Sequence, residues 1–145
     1  MPADPFVVNV EAAVLKEGKW LMIVRSKEEA HAAGTLSMVG GTVAHADESD
    51  QTLEEALRRE LREEVGVEVG PLLRYVESKK FISDAGKCVL DIVFLATYSS
   101  GEPKALDARE VETVHWMTTD EILTHPNTPP WIRQSMIKAA AMVDS

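Results

Sequence analysis

The chain has 145 residues, 45% of them hydrophobic and 27% charged, with a formal net charge of −9. That length and balance suit one globular domain, expected over residues 1–145, with enough apolar content for a core. The charge argues against a nucleic-acid partner gripped through its phosphates, which needs a basic surface. It leaves room for a small anion if metal ions offset the repulsion.

The N-terminus, Met1-Pro2-Ala3-Asp4-Pro5, has no basic stretch followed by an apolar one, so no signal peptide is expected. No run approaches the roughly 20 apolar residues of a membrane span. Phe6 to Leu15 is rich in Val, Glu17-Gly18-Lys19 is a turn signal, and Trp20 to Arg25 is a second apolar run, which together predict a β-hairpin. Ser26 to Thr35 is polar and predicted to be a loop. Leu36 to Val39 reads as a short strand running into Gly40-Gly41, a pair that permits close approach of backbone to a ligand.

Thr52 followed by Glu55 fits a capping box, and Gly66 is a C-terminal stop, so a helix is predicted over 53–65. Val67 to Lys80 is predicted extended, with a break at Gly70-Pro71. Cys88 to Tyr98 is strongly β, with Asp91 as a polar insertion. The lone cysteine, Cys88, sits in an apolar run; it reads as a structural thiol and suits the reducing cytosol, so a cytoplasmic location is expected. Ser99 to Ala108 is turn-rich, and Val111 to Met117 alternates as a strand. Thr118 or Thr119 is placed to cap a short helix, Asp120 to Leu123, and Pro129-Pro130 opens a last helix, Trp131 to Met142. This order suggests an α/β/α sandwich around a mixed sheet.

The richest stretch is Arg59-Glu60-Leu61-Arg62-Glu63-Glu64-Val65-Gly66-Val67. Glu60, Glu63 and Glu64 hold the i, i+3, i+4 spacing of one helix face, where like charges repel unless a cation sits against them. With Leu53 at zero and about 100° per residue, Leu57, Leu61 and Val65 form the apolar stripe, and Glu64 falls near 20°, inside it. Glu60, at about −20°, sits just beside the stripe, while Arg62 and Glu55, at about 180° and 200°, take the solvent side. A carboxylate facing the protein body is costly unless paired or metal-bound. Hard divalent ions such as Mg2+ take carboxylate oxygens and bind phosphates on their open side.

These residues resemble the Nudix box, G-x5-E-x7-R-E-U-x-E-E-x-G-U with U a bulky aliphatic residue. Its second half is matched at every specified position from Arg59 to Val67, and Gly40-Gly41 resembles the family's double glycine. Counted back from Arg59, the place of the first Glu falls on Gln51, with four extra residues in the loop Thr42 to Asp50. Glu48 is a possible substitute for that supporting carboxylate, and Leu36 and Val39 stand where the family often has Trp and Pro. The resemblance implies the Nudix-type α/β/α fold. It also implies hydrolysis of a nucleoside diphosphate linked to another moiety, with Mg2+ or Mn2+ as cofactor.

On this resemblance Glu60, Glu63 and Glu64 are the expected metal ligands, completed by the Gly40 carbonyl. Glu63 and Glu64 are also expected to act in catalysis, with Arg59 orienting the carboxylates. Glu110 and Glu112 are candidates for the general base. The proline tag of many ADP-ribose pyrophosphatases, the tyrosine tag for dinucleoside polyphosphates and the extended NADH motif are not found. A nucleoside triphosphate or small nucleotide-sugar is therefore the leading substrate, with ADP-ribose as the alternative. A non-catalytic nucleotide-binding regulatory domain is the competing class, and a purely structural domain gives Glu64 no reason to face inward. The expected partner is a small nucleotide, without nucleic acid or membrane, and a homodimer is left open. His31, His45, His115 and His125 lack ligand spacing, and Trp20, Trp116 and Trp131 are assigned to the core, although one could stack on a base. Lys79-Lys80 reads as a solvated strand end with a phosphate contact as its alternative.

Overall fold

The computed structural model describes residues 5–29 and 32–143. In chain order the elements are β1 (Phe6–Lys16), β2 (Lys19–Arg25), β3 (Leu36–Ser37), β4 (Val39–Thr42), α1 (Thr52–Val65), β5 (Glu68–Val69), β6 (Arg74–Ile82), β7 (Cys88–Ser100), β8 (Val111–Met117), α2 (Thr119–Thr124) and α3 (Pro130–Val143). The predicted hairpin is present, with Leu15 opposite Trp20 and Lys16 opposite Lys19. The predicted strand at Leu36 divides, so that both glycines fall within β4. The extended segment after α1 also divides at Gly70-Pro71, into β5 and β6.

The strands form a mixed sheet around β1. Nearly its whole length pairs in parallel with β7, from Phe6 opposite Cys88 to Leu15 opposite Thr97, and its middle pairs antiparallel with β4 on the other edge. β2 carries β3 and β8, while β7 carries β5 and β6. A parallel pair needs a long crossover and is covered on both faces, which is why β1 and β7 carry apolar residues on both sides. Val10, Ala12, Val14, Ile92, Phe94 and Ala96 pack with Leu57, Leu61 and Val65 of α1. Ala13, Val93 and Leu95 face the other way, toward Ile122 of α2 and Ile132, Met136 and Ala139 of α3. The result is the expected α/β/α sandwich.

The helix ends differ in how closely they follow the sequence pattern. Gly66 closes α1 in the left-handed conformation (φ 72°), its N–H donating to the Arg62 carbonyl. At the other end the capping box predicted from Thr52 is not formed. Gln51 occupies the N-cap without a side-chain cap bond, and Thr52 is already helical; its hydroxyl turns back to donate to the Ser49 carbonyl at 2.7 Å. The loop before α1 has taken the hydroxyl that the helix would have used. In α2 the box does form, with Thr118 accepting from the Glu121 N–H and Glu121 accepting from the Thr118 N–H.

Candidate active site

Helix α1 delivers two acidic side chains into the protein body. Glu60 and Glu64 are one turn apart and only 9% and 4% exposed. Their neighbours on the buried face are Ala56, Leu57, Leu61 and Val65. Room for Glu60 comes from β4: a Cβ on Gly41 would lie 2.4 Å from the Glu60 Cδ. Any larger residue there would displace the carboxylate.

The third member comes from far along the chain. The segment after β7 clamps the end of α1, with the Leu106 N–H donating to the Glu64 carbonyl at 2.9 Å and the Lys104 N–H to the Val65 carbonyl at 3.1 Å. That clamp leads into the turn before β8 and brings in Glu110. Carboxylate oxygens of Glu60, Glu64 and Glu110 lie within 4.8 Å of one another. Among the described residues no N–H or hydroxyl donates to the buried Glu64 Oε2. Burial, then the shared hydrogen bond and charge of Glu110, push the Glu64 carboxyl up to about 10. Burial also raises Glu60, against the opposing pull of Arg59. Without a cation this cluster must hold protons to relieve its own repulsion. An orphaned buried oxygen among three carboxylates is the donor set that a hard divalent ion fits.

Arg59 organises the rim. Its Nη1 donates to Glu60 Oε1 at 2.9 Å and to Glu63 Oε2 at 3.2 Å, and its Nη2 and Nε donate to the two oxygens of Asp47 at 2.9 and 3.3 Å. The hydrogen bond from Arg59 draws Asp47 below its ordinary range, and the same bond raises Arg59. This corrects the assignment of the supporting carboxylate. Neither Gln51 nor Glu48 fills that role; both are exposed, and Asp47 holds Arg59. The Ala44 N–H donates to Asp47 Oδ2, closing a turn that aims the side chain at Arg59. Counting forward from Gly41 would have found it, since Asp47 stands where G-x5-E puts its acid, and the four extra residues then follow it.

Glu63 lies outside the cluster, with its side chain 60% exposed and ion-paired to Arg59. Glu110, a base candidate in the sequence, stands among the clustered carboxylates, and Glu112 is exposed on β8. His115 bonds Thr113, His125 Nδ1 accepts the Asn127 N–H, and His45 is exposed; His31 lies outside the described residues. Trp20 is core, donating to Thr119 Oγ1, and Trp116 packs edge-on against Tyr98. Trp131 departs from the core assignment, being 44% exposed. Lys79 is no solvated strand end: its ammonium donates to the Trp131 carbonyl and to Ser135 Oγ.

Trp131 and Lys79 belong to a cavity of about 550 Å3 on the α3 face, whose lining also includes Glu11, Gly40, Gly41 and Asp91. The Glu11 and Asp91 carboxyls share a hydrogen bond across β1 and β7. Burial first, and then Asp91, raise Glu11 well above the ordinary carboxylate range; burial also raises Asp91. The only hint in the sequence was a polar residue interrupting an apolar strand.

The family model described as NUDIX domain matches residues 5–138. A curated relative, the NAD-capped RNA hydrolase NudC of Escherichia coli O1:K1 / APEC, is 33% identical over 108 residues, covering 74% of this chain and 37% of the relative. The protein of the same name from Vibrio vulnificus (strain CMCP6) is 31% identical over 100 residues, covering 69% and 35%. The chain thus spans little more than a third of the length of these relatives. The solved MutT NUDIX hydrolase from Burkholderia pseudomallei matches with a TM-score of 0.77 at 26% identity, over 93% of this chain and 98% of that one. The NUDIX domain of Shewanella oneidensis NrtR, complexed with ADP ribose, shares the fold with a TM-score of 0.78 at 19% identity, over 97% and 90%. The family match, the Arg59–Val67 box half and this fold together show that the chain belongs to the Nudix family.

Proposed function

We propose that the protein is a Mg2+- or Mn2+-dependent pyrophosphohydrolase acting on a nucleoside diphosphate linked to another moiety. The observation that carries this is the meeting of Glu60, Glu64 and Glu110 within 4.8 Å, two of them buried and one with an orphaned oxygen. In this reading those three hold the cation, with the Gly40 carbonyl as a further donor. A divalent ion held there would neutralise the phosphates and lower the pKa of a bound water. Arg59 fixes the Glu60 carboxylate and is itself held by Asp47. Glu63, at the exposed edge, orders the attacking water.

The nucleoside is assigned to the cavity on the other side of β4. Gly40 and Gly41 line that cavity, and Gly41 also makes room for Glu60, so the two sites adjoin across a strand segment without side chains. A nucleoside triphosphate or nucleotide-sugar is the leading substrate. The names of the NudC relatives favour a second one, a NAD-type dinucleotide, and ADP-ribose belongs to the same chemistry. A nucleotide panel tests the proposal. Release of phosphate, pyrophosphate or nucleoside monophosphate is expected in millimolar Mg2+ and not in EDTA. Metal-dependent binding of nucleotides with no turnover of any of them would instead support the non-catalytic reading.

A further inference from the structure

Asp91 is the least satisfied side chain of the cavity. It is 3% exposed, and among the described residues its buried Oδ1 has no hydrogen-bond donor. Among the described residues its hydrogen-bonding partner is the Glu11 carboxyl. One oxygen is engaged there, so the other is an acceptor with nothing to accept from. Lys79 lies opposite Asp91 in the β6–β7 register but does not supply the donor. Its ammonium is directed to the Trp131 carbonyl at 2.9 Å, to Ser135 Oγ at 2.7 Å and toward Glu77 Oε1 at 3.5 Å. A buried acceptor left unpaired is costly, so the ligand that fits best is one that brings an N–H. Trp131 and Phe81, 44% and 39% exposed, add aromatic surface to the lining of the same cavity. Flat aromatic surface beside a buried acceptor suits a planar heterocycle.

We propose that Asp91 is a specificity-determining residue, accepting a hydrogen bond from the exocyclic amino group of a 6-aminopurine or 4-aminopyrimidine whose ring lies against Trp131. That amino group stands at the edge of the base remote from the sugar, so it reaches the buried carboxyl while the phosphates remain toward β4. A 6-oxo or 4-oxo base would set a carbonyl oxygen against the free carboxylate oxygen and leave both unpaired. The proposal rests on the assignment of the nucleoside to this cavity.

The test is titration calorimetry in Mg2+ with the pairs AMP against IMP and CMP against UMP, which isolate the amino-for-oxo exchange in each ring class. The amino member of at least one pair is expected to bind about tenfold tighter or more. Asp91→Asn puts an amide donor at the same place and is expected to abolish or reverse that preference. Trp131→Ala is expected to weaken both members of the pair alike. Equal affinities in both pairs, an oxo preference, or no binding of any of the four would overturn the proposal with the wild-type protein alone. A preference that survives Asp91→Asn would overturn it as well. Hydrolysis is scored separately: turnover without base preference sinks only the role of Asp91. Base preference without any turnover sinks only the catalytic reading.

Discussion

Glu60, Glu64 and Glu110 gather on the α1 face of the sheet, and Glu11 and Asp91 gather on the face covered by α3. Both groups put like charges close together in surroundings that penalise charge; burial raises Glu60 and Glu64 in the first and Glu11 and Asp91 in the second. They differ in what stands around them. The first has three acids and an exposed edge at Glu110, with Arg59 on one side, an arrangement that suits a divalent ion. The second has two acids, a lysine directed elsewhere and aromatic side chains in its lining, an arrangement that suits a neutral donor. On this reading the number of carboxylates and their access to solvent separate the two groups.

The sharpest way to break the comparison is Glu64→Gln. Gln keeps the shape and loses the metal charge, so kcat should fall by about a thousandfold or more, about 4 kcal/mol in the barrier. Turnover near wild type would remove the α1 cluster from the chemistry. A smaller effect is expected at Asp47→Ala, which frees Arg59 to swing from Glu60. A loss of about tenfold in kcat, with the fold intact by circular dichroism, would match a positioning role.

The pH dependence sharpens the contrast further. In metal-free buffer Glu64 holds its proton to about 10, against an ordinary value of 4.5. The folded chain then binds a proton that the unfolded chain has released. That contribution to stability is full below 4.5 and is lost as pH rises toward 10. Glu60, Glu11 and Asp91 shift in the same direction. Tm in EDTA should therefore decline between about pH 6 and about pH 9, less steeply in Glu64→Gln, and the gain in Tm on adding Mg2+ should grow over the same range. A Tm that rises with pH in EDTA would contradict the burial of these acids. The smallest effect belongs to Gln51→Glu. Because Asp47 already holds Arg59, activity should stay within about twofold, under ~0.5 kcal/mol.

Periodicity and local chemistry determined a good deal by themselves. The spacing of Leu57, Leu61 and Val65 told which way Glu64 points, because helix geometry is local. Gly66 marked the stop, and the Val-rich runs marked β1 and β7. Glu63 shows the limit: it shares the i, i+3, i+4 spacing of Glu60 and Glu64, yet those two are buried and Glu63 is not. Asp47 depended on how a loop with four extra residues closes, and a count taken from the helix end misplaced the insertion. Glu110 joined the cluster because the segment after β7 bonds to the last carbonyls of α1. Asp91 met Glu11 because β1 and β7 pair in parallel in one register, across about eighty residues of chain. Which residues share a helix face is written in the sequence; which loops and strands meet that face is set by long-range pairing, and that is where the third acid, the arginine's anchor and the cavity came from.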